Sequence, residues 1–82
     1  MKNLYIEKLK MEFCKSAGNV NDYAEQKDNN RNRANYGSAT TLAAILIDFG
    51  CKVELPVWEN NGYLKIPFIQ VDDWKIEFHN GK

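Results

Sequence analysis

The side chains that most often carry chemistry are few in this chain and far apart. It holds two cysteines, Cys14 and Cys51, and a single histidine, His79, among 82 residues. Nucleophilic catalysis needs a nucleophile beside a base and a third group that orients the base, and a metal site needs three or four ligands at workable spacing. The sequence contains neither pattern. We therefore expect no catalytic residue, no metal and no cofactor in this chain.

Two further motifs are equally weak. Asp72 and Asp73 are adjacent, and adjacent residues in a strand or turn point apart, so the pair indicates a turn and not the paired carboxylates of a hydrolase. The five glycines are widely separated and form no phosphate-binding loop. The sequence thus favours a protein that is not an enzyme on its own.

The charge balance argues against strong attraction to nucleic acid or anionic lipid. Eleven lysines and arginines are balanced by eleven aspartates and glutamates, so the formal net charge is zero. A nucleic-acid-binding role would need a local basic strip, and Lys27, Arg31 and Arg33 are the residues that could form one. Because acidic residues are interleaved with them, we expect ordinary surface charges.

Length and composition predict one domain. A chain of 82 residues that is 44% hydrophobic has enough apolar material for one core. Its start lacks the apolar stretch of a secretory signal, and no apolar run approaches the ~18 residues that a membrane span needs. Two distant cysteines fit free thiols in a reducing compartment. The chain is interpreted as a single cytoplasmic domain over residues 1–82, without membrane contact.

The first half of the chain has the period of helices. Apolar residues spaced three and four apart predict a first helix over residues 2–16, which Gly18 would end. A better defined helix is expected over 38–49, with Ser38 as its N-cap and Gly50 as its stop.

The polar segment between these helices allows two interpretations. Residues 25–33 contain no apolar side chain, so we expect a solvated helical arm or a mobile loop that contributes nothing to the core. The alternative is one long helix from about 20 to 49. Its small residues would then pack against the first helix: Ala34, Gly37, Thr41 and Ala44.

The second half changes to the two-residue period of strands. Asn61–Gly62 predicts a two-residue hairpin turn, because both turn positions need positive φ, and the two adjacent aspartates predict a second turn. The fold class is therefore α+β: two or three helices over residues 1–50 packed on a three-stranded antiparallel β-meander over 51–82.

One conflict arises in the predicted register. Pairing across the Asn61–Gly62 turn sets Leu55 against Phe68 and places Pro56 opposite Pro67. A proline in a central strand removes a ladder donor, so we expect a bulge or a splayed pair at this point, or a hairpin loop longer than two residues. A register error of two residues would leave the sheet faces unchanged.

Strand alternation also places apolar and aromatic residues on the sheet face opposite the predicted core. A water-facing sheet is normally polar there. The members of this face are Pro56, Trp58, Tyr63, Lys65, Pro67 and Ile69. Either the first helix covers the face, or it is exposed and binds a partner, with Trp58 and Tyr63 at the centre.

These patterns predict a small non-enzymatic binding or regulatory protein, of the kind that phages and mobile elements encode as inhibitors of a larger host protein. A protein partner is expected, and a homodimer is compatible with the small core. One alternative is a nucleic-acid-binding module using Lys27, Arg31 and Arg33. A second is a subunit of an enzyme whose site another chain completes.

Overall fold

The computed structural model describes residues 3–79, which form two long helices followed by five short strands. The helices are α1 (Leu4–Glu25) and α2 (Asn29–Asp48). The strands are β1 (Val53–Glu54), β2 (Trp58–Asn60), β3 (Tyr63–Lys65), β4 (Phe68–Val71) and β5 (Trp74–Glu77). The α+β class is confirmed. In place of one three-stranded meander there are two antiparallel sheets, β1-β4-β5 and β2-β3.

Helix α1 continues through Gly18, so its predicted end at residue 16 is wrong. The described helix begins after the N-cap Asn3. The predicted start at residue 2 lies outside the described residues. A Cβ at Gly18 would lie 3.6 Å from the Phe78 ring, so the helix passes closely over that side chain. Buried residues continue on the same face beyond the glycine to Ala24. Packing of this face outweighs the roughly 1 kcal/mol that a mid-helix glycine costs.

Helix α2 begins nine residues earlier than the sequence predicted. The Asp28 carboxylate accepts a hydrogen bond from the Arg31 backbone N–H at 3.1 Å and caps the helix, so Ser38 is an interior residue. The single-helix alternative is also wrong, because Lys27 has a φ of 60° and separates the helices. The polar segment does contribute to the core, since Asn32 is fully buried.

The predicted small-residue seam lies on the solvent side of α2. All four of its members are exposed: Ala34, Gly37, Thr41 and Ala44. The buried face of the helix consists instead of Asn32, Ala39, Ala43 and Leu46. Helix α2 packs with α1, β3 and β1 around a core that includes Phe13, Val20, Ile66, Ile69 and Val71.

Both predicted turns are confirmed. The β2–β3 hairpin closes through Asn61 and Gly62, which have φ values of 55° and 86°. The β4–β5 hairpin closes through Asp72 and Asp73, and Asp72 has a φ of 55°. Short polar residues and glycine tolerate this left-handed region, which is why the local sequence was informative here.

The break predicted at Pro56 and Pro67 is confirmed as a one-residue change of register. Continuing the register of the β2–β3 hairpin would place Glu54 opposite Ile69, whereas Glu54 lies opposite Gln70. Proline lacks the N–H that the ladder needs, so the pairing stops at the prolines and resumes one residue out of step.

This shift changes which side chains reach the core. A one-residue slip moves every following side chain to the other face. Ile69 and Val71 are therefore fully buried, whereas Phe68 is half-buried and does not pair with Leu55. The placement of Ile69 on an outer binding face is wrong, since its side chain is 0% exposed.

Two buried asparagines join the hairpin to the helices. Asn21 of α1 donates to the Ile66 carbonyl at 2.8 Å and accepts from the Ile66 N–H at 2.7 Å. Asn32 of α2 makes the equivalent pair with Leu64, both bonds at 2.9 Å, and donates its second amide hydrogen to the Val20 carbonyl at 2.7 Å. Each carboxamide stands in for the neighbouring strand that the edge of β3 lacks.

Replacing Asn32 by alanine should destabilise the fold by about 2–4 kcal/mol, because it leaves the part-buried N–H and carbonyl of Leu64 without partners and removes the bond to the Val20 carbonyl. Asn30→Ala, at an exposed position of the same helix, is the matched control and should stay within about 0.5 kcal/mol of the parent. Urea denaturation followed by circular dichroism measures both. Equal stability of the two variants would contradict an anchoring role.

Candidate functional site

One face of the β2–β3 hairpin, here called the hairpin face, carries an exposed tryptophan. Directly opposite residues of an antiparallel pair share a face, so Trp58 and Lys65 lie together, as do Asn60 and Tyr63. Trp58 is 52% exposed, while Tyr63 and Lys65 are half-buried. The hairpin face therefore offers a large apolar surface beside polar and basic groups.

The tip of the hairpin is held by α2. The Gly62 carbonyl accepts hydrogen bonds from the Asn29 side chain at 3.0 Å and from Arg33 at 3.1 Å. Arg33 also reaches the Glu59 carboxylate at 3.5 Å. Together with the two buried asparagines, these contacts tie the hairpin to the helices along the length of β3. The hairpin face is thus presented on a supported element and not on a free loop.

A recess of about 120 Å³ opens at the hairpin, and one of its lining residues, Lys65, lies directly opposite Trp58. It is lined by Ala24, Lys27, Asn60, Asn61, Tyr63 and Lys65. The Tyr63 hydroxyl donates to the Lys27 carbonyl at 3.3 Å and so closes the recess against the end of α1. Within residues 3–79 neither Lys27 nor Lys65 forms an ion pair. The recess is therefore a basic, amide-lined hollow next to an exposed indole.

The structure divides the six residues that the sequence assigned to a binding face. Trp58, Tyr63 and Lys65 are brought together on the hairpin face. Pro56 and Pro67 are half-buried at the register break, and Ile69 belongs to the core. The continuous apolar sheet face expected from strand parity does not exist, because parity changes at the prolines.

The three residues predicted to contact nucleic acid do not form a free basic strip. Arg31 pairs with Asp28 at 3.5 Å, and Arg33 pairs with Glu59 at the same distance. Lys27 alone of the three has no acidic partner in the described part of the chain, and it belongs to the recess. Two of the three charges are balanced locally, which favours the interpretation as surface charges.

The two anchoring asparagines are the structural residues that sequence reasoning missed. The sequence analysis did not place Asn21 in the core and assigned Asn32 to a solvated segment. A signal was present for Asn21, which follows Ala17 by four residues and so continues the apolar stripe of its helix. A polar amide on such a stripe indicates a buried hydrogen-bond partner.

The two cysteines and the histidine lie outside the hairpin face. Burial raises the pKa of the Cys14 thiol. Burial, followed by the negative charge and hydrogen bond of Asp72, raises the pKa of the Cys51 thiol. His79 is exposed at the end of the described chain, and no three metal-ligating side chains among residues 3–79 converge on one point.

Comparison with known proteins yields no relative for this chain: no protein-family model, curated protein or solved structure matches it. Neither helix in the described residues is apolar enough over a sufficient length to cross a membrane. The geometry of the hairpin face therefore carries the functional inference.

Both thiols should alkylate slowly at neutral pH. Their raised pKa keeps them protonated, and only the thiolate reacts. The rate at which iodoacetamide alkylates each cysteine of the folded protein should therefore be measured over about pH 7 to about pH 10. It should keep rising with pH above the midpoint that a cysteine in an unfolded peptide shows. Mass spectrometry of each cysteine measures this. A midpoint at or below that of the peptide would contradict the burial effect.

Proposed function

We propose that the protein is a non-enzymatic binding module that engages a larger protein through the hairpin face. The observation that carries this proposal is the half-exposed Trp58 on a hairpin tied down by both helices. Tryptophan is among the side chains that most often dominate an interface, since it offers a large rigid apolar area with a polar tip. Holding it exposed on a supported strand reduces the entropy cost of binding.

The recess indicates the chemistry of the partner segment. The ammonium groups of Lys27 and Lys65 and the side-chain amides of Asn60 and Asn61 are hydrogen-bond donors, which suit a carboxylate. The neighbouring indole suits an apolar or aromatic side chain. The best-fitting partner is therefore a protein segment with an acidic residue beside an apolar one. A small domain that occupies such a segment acts as a regulator or inhibitor of the protein that carries it.

A single-stranded nucleic acid is the second candidate, because an exposed tryptophan flanked by lysines can stack on a base while binding the phosphates. It is less favoured since the net charge is zero and the two arginines are paired with carboxylates. Phosphate contacts weaken steeply with added salt, so a salt titration distinguishes this candidate from a protein partner.

The first experiment identifies the partner by photo-crosslinking from a defined position on the hairpin face. A photo-crosslinking amino acid at Asn60, beside Trp58, should give a protein adduct, whereas the same group at Met11 should not. Met11 is 65% exposed on α1 and serves as the control surface. Adducts of equal yield from both positions, or an adduct only with nucleic acid, would contradict the proposal.

With the captured partner purified, Trp58→Ala should weaken binding by at least ~30-fold, the loss typical of an interface anchor, as measured by calorimetry. Met11→Ala should bind like the parent. Both variants should keep the parent melting temperature, because both side chains are exposed. Unfolding of Trp58→Ala would show that the tryptophan is structural and would overturn the assignment of the hairpin face.

A further inference from the structure

We propose that two copies of the chain associate edge to edge through β5, as an antiparallel strand pair with its two-fold axis at Ile76. This surface is separate from the hairpin face and joins two three-stranded sheets into one sheet of six strands.

The outer edge of β5 has no strand beside it in the described part of the chain, where the sheet order is β1-β4-β5. The Phe78 N–H donates to the Pro67 carbonyl at 2.9 Å, which shows that the backbone groups of Phe78 point toward β4. Backbone direction alternates along a strand, so those of Lys75 and Glu77 point away from it. Such unpaired groups are a template for another strand.

The register centred on Ile76 places opposite charges against each other and also allows backbone hydrogen bonds between the two strands. It places Lys75 opposite Glu77 of the second copy, and Glu77 opposite Lys75 of the second copy. These are the residues whose backbone groups point outward, so each opposed pair can exchange both N–H···O=C bonds. Centring the pair on Lys75 or on Glu77 would instead set that residue against its own copy and oppose like charges.

Apolar burial favours the same register. Trp74, Ile76 and Phe78 lie on the other face of β5 and are only half-buried. The two-fold sets Ile76 against Ile76 of the second copy and Trp74 against its Phe78, so all six side chains lose exposed apolar area. At the ends of the pair, Asp73 comes opposite His79 of the second copy.

The charges also explain why the occupant is a second copy and not an arbitrary strand. Lys75 and Glu77 pair with each other at 3.5 Å along the strand, and they are 43% and 60% exposed. Charged side chains on an edge discourage pairing with apolar strands. An antiparallel copy of the same sequence presents the opposite charge at each position, so it is accepted where others are rejected.

Charge exchange tests the interface. The parent protein should show a concentration-dependent monomer–dimer equilibrium in analytical ultracentrifugation. Lys75→Glu and Glu77→Lys each turn both attractive pairs of the two-fold into repulsive ones, so each should raise the dimer dissociation constant at least ~10-fold. The double exchange K75E/E77K should restore dimerisation, and a mixture of the two single variants should form a heterodimer. Circular dichroism verifies that each variant is folded.

Amide exchange locates the contact. On dilution of the dimer, exchange of the Lys75 and Glu77 amides should accelerate, while that of Ile76 and Phe78, whose N–H groups point toward β4, should change little. Trp58→Ala is the matched control and should leave dimerisation unchanged. A parent that stays monomeric up to about 1 mM, where association is worth only about 4 kcal/mol, would overturn the proposal. So would a dimer that persists in both single variants.

Discussion

The fold depends on hydrogen bonds to the backbone groups of β3 that point away from β2. In the β2–β3 hairpin the backbone of Leu64, and by alternation that of Ile66, points away from β2, and a buried edge without partners would cost several kcal/mol. Asn21 and Asn32 meet this requirement from two different helices. Each carboxamide has the donor and acceptor of a peptide group, so it completes the ladder where no strand can fit. The helix pair and the hairpin therefore form one unit.

The two prolines set the second constraint. Because Pro56 and Pro67 interrupt the ladder, β4 resumes its pairing one residue out of step with β3. The same chain thus turns Leu64 and Ile66 toward the asparagine anchors and then buries Ile69 and Val71 under the helices. An uninterrupted strand would place Ile66 and Ile69 on opposite faces of the sheet. The break therefore allows both isoleucines to be buried in the core.

The sheet edges are handled in two physically different ways. The β3 edge is covered by the buried amides of Asn21 and Asn32, whereas the β5 edge carries a lysine and a glutamate and has no neighbouring strand within residues 3–79. Burying charges at β3 would have required desolvating them, which amides avoid. At β5 the exposed charges keep the edge soluble and restrict its partners. The hairpin face and the β5 edge consequently offer two separate surfaces with different chemistry.

The sequence by itself determined the features that depend on neighbouring residues: the α+β class, both turns at Asn61–Gly62 and Asp72–Asp73, and the interruption at the prolines. It also brought Trp58, Tyr63 and Lys65 together, because cross-strand pairing near a two-residue turn follows from the turn. Tertiary structure decided that α1 continues beyond Gly18 and that Asn21, Asn32 and Ile69 are buried. Each of these depends on a contact with a distant part of the chain, whose packing or hydrogen-bond energy exceeds the local preference of the residue.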